Sequence, residues 1–224
     1  MNRRIYAICI LALSAGLSLT SCMRTNGSQP FEIGDLLLEE DFSNSFVWET
    51  YSDPARQIDL RVVDGAYRIE AHDEVFMWGL NAQIHTDVVM EVEAEQLSSY
   101  SDNAYGVMCR ADPAADGDGY YFFISGDGYY TIRRGAGDEV TPLIQWTASS
   151  TIRHGQQRNR IRVVCIQDYL ALYVNDQFVD ETHDRRYGSG VAGFAAGVSA
   201  GGEVVASFDN LLIFAAHFAQ ADGS

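Results

Sequence analysis

From about residue 36 onward the chain alternates between hydrophobic and polar positions and shows little helical periodicity. The segment Asp87–Glu95 shows this most clearly, because its residues fall on two faces of opposite character. The apolar face holds Val88, Met90, Val92 and Ala94, and the acidic face holds Glu91, Glu93 and Glu95. A period of two is that of a β-strand with one buried face and one solvated face.

Turn signals separate the apolar runs at short intervals. Gly126-Asp127-Gly128 lies between strands predicted at Tyr120–Ser125 and Tyr129–Arg133, which is a hairpin pattern. Further strands are predicted at Tyr105–Ala111, Asn159–Gln167, Tyr169–Asn175, Gly190–Val198 and Val204–Phe214. Roughly ten or more strands without alternating helices predict an all-β fold, an antiparallel β-sandwich.

The N-terminus follows a different pattern. Arg3 and Arg4 precede an apolar, acid-free run that extends from Ile5 to Leu17, as in a secretory signal peptide. The quartet Leu19-Thr20-Ser21-Cys22 then resembles the lipobox of bacterial lipoproteins. The resemblance implies cleavage before Cys22, a diacylglyceryl group on its sulfur that carries acyl chains such as palmitate, and an extracytoplasmic location on the bacterial cell membrane. The alternatives are an ordinary cleaved signal and a transmembrane helix, for which the run is short.

This interpretation divides the chain into four parts. They are a signal peptide (1–21), the lipidated cysteine with a flexible spacer (22–34), the β-sandwich domain (35–216) and a C-terminal tail (217–224). Loss of the signal would remove two arginines and change the formal net charge from −16 to roughly −18. Because such a charge repels nucleic acid and anionic headgroups, neither is expected as a ligand. The chain has no lysine, which excludes lysine-based covalent catalysis.

The cysteines give a prediction about the core. Cys9 would leave with the signal and Cys22 would take the lipid, so the domain keeps only Cys109 and Cys165. Both lie in apolar, strand-like runs, and an exported protein meets an oxidising compartment. A Cys109–Cys165 disulfide is therefore predicted, with two buried free thiols as the alternative.

Core and turn residues spread over about residues 37–215 resemble the concanavalin A-like lectin/glucanase superfamily. The matching groups are Asp41-Phe42 with Trp48, Tyr105-Gly106-Val107, Gly119-Tyr120-Tyr121, Asn159-x-Ile161-x-Val163 running into Leu172-x-Val174-Asn175, and Phe208-Asp209-Asn210. The layout is most similar to laminin-G-like and 3-keto-disaccharide hydrolase-type domains. The resemblance implies a lectin-like sandwich of the jelly-roll type, with Trp48 and Trp146 at positions that support the core.

Aromatic and arginine side chains are the candidate ligand contacts, because sugars stack on aromatic rings and their hydroxyls bond to planar polar groups. If Tyr120, Phe122 and Ile124 point inward, alternation turns their neighbours outward. The same argument places Arg110 on the face opposite Cys109, and Trp78 is the tryptophan most available as a loop contact. The predicted ligand-binding set is Arg110, Tyr121, Phe123, Tyr129, Arg133 and Trp78. These side chains could instead simply cover the back of a curved sheet.

Carboxylates offer weaker candidates. The resemblance suggests that Glu91, Glu93 and Glu95 correspond to the acid/base–nucleophile strand of laminarinase-type glucanases, although an alternating acidic face is also what a solvated strand presents. No catalytic residue is predicted. Similar carbohydrate-binding sandwiches share a structural Ca²⁺ between their terminal strands, which would place an ion at Asp41 and Asp209. The loop Asp112–Gly119 is a second candidate calcium site, although it lacks the residue spacing of an EF-hand.

Three functions remain open at this point. The first is a non-catalytic lectin-like lipoprotein that binds carbohydrate or a cell-envelope partner. The second is a glycoside hydrolase of the 3-keto-disaccharide or glucanase type. The third is a protein-interaction module without a small-molecule site. A groove with two carboxyl groups about 5–9 Å apart would favour the hydrolase, and an aromatic platform would favour binding.

Overall fold

The predicted alternation produces strands throughout the computed structural model, which describes residues 29–43, 47–114 and 117–220. Fifteen strands are formed within these ranges. They are β1 (Phe31–Glu40), β2 (Tyr51–Asp53), β3 (Ile58–Val63), β4 (Ala66–His72), β5 (Phe76–His85), β6 (Val88–Gln96), β7 (Asn103–Ala111), β8 (Gly119–Ile124), β9 (Tyr129–Ala136), β10 (Glu139–Ala148), β11 (Arg158–Ile166), β12 (Tyr169–Val174), β13 (Gln177–His183), β14 (Gly190–Val198) and β15 (Glu203–Phe218).

The strands form two antiparallel sheets that pack face to face. The nine-stranded sheet has the order β13-β12-β11-β6-β15-β4-β3-β2, and β1 pairs with the C-terminal half of β15. The six-stranded sheet has the order β10-β9-β8-β7-β14-β5. Seven of the thirteen strand pairs are consecutive in sequence, and the other six join distant strands, so each sheet gathers strands from the whole chain. This is the antiparallel sandwich that the alternation predicts, and the all-β fold is confirmed.

The core lies between the two sheets and follows the predicted faces. Tyr120, Phe122 and Ile124 of β8 are buried there with Val88, Met90, Val92 and Ala94 of β6. Aromatic rings fill the centre: Trp48 stacks on Phe194 with ring centroids 4.8 Å apart, and Phe194 stacks on Phe208 at 4.3 Å. Trp48 therefore has the core-supporting position expected of it.

The strand bounds differ from the predicted domain limits at both ends. β1 begins at Phe31, inside the segment interpreted as a spacer, because residues 31–33 pair with residues 216–218 of β15. That pairing also brings Phe218 into the sandwich, two residues beyond the predicted boundary. Cys22 and the lipobox lie outside the described residues. Within the described ranges, no helix has the length and apolar character that a membrane span requires.

A disulfide joins Cys109 of β7 to Cys165 of β11 and thereby links the two sheets. The two Cα atoms are 7.0 Å apart, and 56 residues separate the cysteines in sequence. Both residues are buried in the inter-sheet core. The bond closes a long loop between strands of different sheets, so it restricts the unfolded chain as well as the folded one.

Candidate functional site

A groove of about 980 Å³ lies on the outer face of the six-stranded sheet, the face that does not contact the core. The residues that line it come from all six strands and from loops at both ends of the sheet. They are Glu74, Val75, Phe76, Trp78, Asp102, Asn103, Ala104, Gly117, Tyr121, Phe123, Ser125, Asp127, Tyr129, Arg133, Gly137, Asp138, Val140, Trp146, Gly197, Val198 and Ser199. Five of the six predicted ligand-binding residues border this groove.

An aromatic cluster of Phe76, Trp78, Tyr121 and Phe123 forms the base of the groove. Phe76 lies edge-on to both Tyr121 and Phe123, with ring centroids 5.5 and 5.7 Å away. Tyr121 and Phe123 stack on each other at 5.5 Å. These last two rings are almost wholly buried, with exposed fractions of 0% and 1%. They support Phe76 and Trp78 and do not themselves offer a ring face to a ligand.

Two glycines leave the space in which the cluster packs. A Cβ on Gly106 of β7 would lie 1.9 Å from the Phe122 carbonyl oxygen, and a Cβ on Gly197 of β14 would lie 2.6 Å from the Phe76 ring. Gly117 lies against the Trp78 ring, and its carbonyl accepts a hydrogen bond from the Tyr121 hydroxyl at 2.5 Å. Trp78 is thus held on β5 within the sheet, whereas the sequence suggested a loop position.

Trp146 lies in the groove, whereas the sequence predicted a core-supporting position for it. Plain alternation along β10 would place it with Ile144 on the inner face. A register irregularity lies between the pairs Ile144↔Ile132 and Thr147↔Tyr130. Such a bulge turns the intervening residues to the same side. Trp146 therefore faces the groove with 39% of its surface exposed, beside Tyr129 at 41%. These exposed rings can contact a ligand.

Polar side chains surround the aromatic surface. Asp127 accepts a hydrogen bond from the Ser125 hydroxyl, and Asn103 uses its side-chain oxygen to accept from the Gly126 amide at 3.2 Å. Thr131, which faces the same side between Tyr129 and Arg133, donates to the Ile144 carbonyl at 2.6 Å. These bonds fix the hairpin tip and the β9–β10 edge, so the polar groups are held in place before a ligand arrives.

Arg110 does not belong to the groove. It adopts a left-handed backbone conformation (φ 53°) at a register irregularity between β7 and β14. The irregularity breaks the alternation, so Arg110 follows Cys109 toward the nine-stranded sheet instead of pointing away from it. Its guanidinium donates to the carbonyls of Thr86, Gln167, Tyr187 and Cys165 and forms an ion pair with Asp87 at 2.9 Å. It is a structural residue.

The acidic strand β6 also differs from its prediction, because each glutamate faces an arginine of β11. The cross-strand pairs are Arg158↔Glu95, Arg160↔Glu93 and Arg162↔Glu91. Glu91 is buried and accepts hydrogen bonds from Arg160 and Arg162. This charge ladder occupies the outer face of the nine-stranded sheet, on the opposite side of the sandwich from the groove. It cannot supply a general acid or a nucleophile to a ligand bound there.

The buried Glu91 and the more exposed Glu93 should respond differently to loss of charge. Glu91→Gln is expected to lower the free energy of unfolding by about 2–4 kcal/mol, because it leaves two arginines next to a neutral buried group. Glu93→Gln is the matched control. The Arg158 side chain that forms an ion pair with Glu93 is 56% exposed. The effect of Glu93→Gln should therefore stay below about 1 kcal/mol. Urea unfolding measures both, and equal effects would contradict this account of the ladder.

The calcium prediction finds no support in the structure. Among the described residues, no group of three or more His, Cys, Asp or Glu side chains could hold a metal ion. Asp41 accepts hydrogen bonds from the Ser43 amide and hydroxyl, which lower the pKa of its carboxyl. In the glycine-bearing loop, Asp118 accepts from the Gly137 amide and the Tyr187 hydroxyl, and Asp116 lies outside the described residues.

No protein-family model matches the sequence, and no curated protein matches it significantly. Solved structures do share the fold. The carbohydrate-binding module CBM66 from Bacillus subtilis is 16% identical, with a TM-score of 0.59 over 78% of this chain and 97% of that one. A galectin-like protein of unknown function from Bacillus subtilis is 12% identical, with a TM-score of 0.56 over 84% and 100%.

A prokaryotic β-1,3-1,4-glucanase (lichenase) from a mouse hindgut metagenome is also similar. It is 11% identical, with a TM-score of 0.56 over 80% of this chain and 98% of that chain. Identities this low establish the fold alone. Together these structures share the antiparallel jelly-roll sandwich of this chain, which is the fold that the resemblance of the core and turn residues implied.

Proposed function

We propose that the protein is a lipid-anchored, extracytoplasmic lipoprotein that binds carbohydrate in the groove of its six-stranded sheet without cleaving it. The observation that carries this proposal is the pair of exposed rings, Trp146 and Tyr129, in a groove of about 980 Å³ that Trp78 also lines. That volume is of the size found for small-molecule sites, roughly 300–1,000 Å³. The similarity to CBM66 supports the proposal.

The chemistry of the groove suits a saccharide. A sugar ring has an apolar face that packs on an aromatic ring, and it has hydroxyls that need fixed polar partners. Trp146 and Trp78 supply the rings, while Asn103, Asp102 and Asp127 supply the polar groups at one end. Because the base of the groove is built from packed aromatic rings on strands, little side-chain entropy has to be lost when a ligand binds.

Hydrolysis is the second candidate, and two observations favour it. The groove carries the carboxylates of Glu74, Asp102, Asp127 and Asp138, and the lichenase shares the fold. We nevertheless favour binding, because the closely spaced carboxylates that the sequence suggested for catalysis lie on the other sheet and are paired with arginines. The two functions differ in whether the bound saccharide is recovered intact.

A glycan array probed with the soluble chain tests the binding proposal. This chain comprises residues 22–224 with Cys22→Ser. We expect saturable binding to a restricted set of saccharides, reduced about 10- to 30-fold in Trp146→Ala because the stacking surface is lost. Tyr51→Ala is the matched control, since Tyr51 is 47% exposed on the nine-stranded sheet. Equal loss in both variants, or no effect of Trp146→Ala, would contradict the proposal.

Anchoring is tested separately in cells. In the full-length protein, Cys22→Ser should abolish labelling by a fatty-acid analogue and move the protein from the membrane to the soluble fraction, because the sulfur that would carry the diacylglyceryl group is gone. Cys9→Ser is the control, since Cys9 lies within the predicted signal peptide. Persistent tight membrane association of Cys22→Ser would overturn the lipoprotein assignment and leave the groove unaffected.

A further inference from the structure

Arg133 has an unusual environment within the groove. It is half-buried on β9, directly across the ladder from Tyr121, and it borders the groove. Its guanidinium donates one hydrogen bond, to the Val140 carbonyl at 3.0 Å. No carboxylate of the described residues lies within ion-pair distance of it. Burial lowers the pKa of Arg133, as expected for a cation that is partly removed from water without a counter-charge.

The other arginines show that this arrangement is an exception. Each described arginine that is not exposed, other than Arg133, has an acidic partner. These are Arg68, Arg110, Arg134 and Arg162, which pair with Asp64, Asp87, Asp184 and Glu91. The described arginines without an ion pair, Arg56, Arg153 and Arg186, are exposed to solvent. A desolvated charge is costly unless it is paired, so Arg133 is the position where an anion from outside would be stabilised most.

Charge is distributed unevenly along the groove. Asp102 and Asp127 lie at the end formed by the β8–β9 hairpin tip, where the Asp127 amide donates to the Ser101 carbonyl. Glu74 lies at the same end, where its amide donates to the Ser199 carbonyl. Arg133 is four residues along β9 from Tyr129 at that tip, which corresponds to about 13 Å.

We infer that the groove selects an acidic saccharide, whose carboxylate or sulfate group binds the guanidinium of Arg133 while its ring packs against Trp146. The inference rests on the proposed function, because it names the substrate class of that same groove. Arg133 retains further N–H donors in a planar fork that matches the oxygens of either anion. Asp138 is the acidic residue that lines the groove at this end, and it is exposed on the β9–β10 turn, where water screens it.

The test compares acidic saccharides with their neutral counterparts. The panel pairs uronate, sialylated and sulfated oligosaccharides with carboxyl-reduced or desulfated forms of the same length. Binding is measured to the chain of residues 22–224 with Cys22→Ser and to its Arg133→Gln variant. We expect the acidic members to bind at least tenfold more tightly than the neutral ones, and this preference should disappear in Arg133→Gln. Preference for the carboxylated or for the sulfated pairs identifies the anion.

Two variants keep the result interpretable. Arg56→Gln removes the same charge from an exposed site outside the groove and should leave every affinity unchanged. Arg133→Lys keeps the charge and should retain part of the acidic preference, which a merely structural role would not predict. If neutral and acidic members bind equally and Arg133→Gln has no effect, this inference is overturned and the proposed function still stands. Failure of all members to bind would overturn both.

Discussion

Replacing Arg110 with methionine should lower the free energy of unfolding by about 3–5 kcal/mol, the largest effect of any single change proposed for this protein. The side chain is 1% exposed and pairs with Asp87. It also donates to four backbone carbonyls from segments 86–87, 165–167 and 187. Methionine fills a similar volume but removes the ion pair and all of these hydrogen bonds from a side chain that is almost wholly buried. Urea unfolding of the two proteins gives the difference directly.

Arg110→Lys separates the charge from the geometry of the guanidinium. A lysine ammonium is a point charge with three donors and cannot reach carbonyls on several sides at once, so an intermediate loss is expected. Below the unfolding transition both variants should bind saccharide like the parent, because Arg110 lies outside the groove. Unchanged stability of Arg110→Met, or loss of binding by the folded variant, would contradict this role.

Removing the Cys109–Cys165 disulfide should have an effect of similar size. The double variant Cys109→Ala/Cys165→Ala is expected to lose about 4 kcal/mol of stability, because the unfolded chain regains the freedom of a loop that spans 56 residues. In a domain of this size that loss corresponds to a decrease in melting temperature of about 8–16 °C. Thermal unfolding monitored by circular dichroism measures it.

Reduction of the parent protein is the control for the disulfide. Dithiothreitol should lower its melting temperature toward that of the double variant and should not change the double variant itself. In the chain of residues 22–224 with Cys22→Ser, these two cysteines are the only ones left. Two reactive thiols in that unreduced, denatured chain would therefore show that the bond does not form.

The fold was predictable because its signal is repeated in every strand. Strict alternation in β6 and β8 placed residues such as Val92 and Phe122 on the inner face, and glycine-bearing turns marked the β8–β9 hairpin. The order in which the strands pair was harder to predict from the sequence. Joining β1 to β15 or β5 to β14 depends on contacts far apart in sequence, for which local periodicity carries no information.

The errors within the candidate site have a common physical cause. Arg110 and Trp146 both follow irregularities in strand register, and a single extra residue reverses the face on which a side chain lies. Bulges have little sequence signature, so alternation placed Arg110 on the wrong face, and the core-supporting position that the resemblance implied for Trp146 was also wrong. Phe76 was missed because it meets Tyr121 and Phe123 only through the sheet order. Residues on regular strand segments, such as Tyr129 and Arg133, were placed correctly.

The most direct test of saccharide binding in the groove is a titration observed through the indole N–H signals of the three tryptophans. Phenylalanine substitutions assign the signals, and a saccharide selected on the array serves as the ligand. The account predicts that the Trp78 and Trp146 signals shift, that the signal of the buried Trp48 does not, and that the anomeric signals of the saccharide stay those of the intact compound. Unchanged Trp78 and Trp146 signals at saturation, or the appearance of new reducing-end signals, would contradict it.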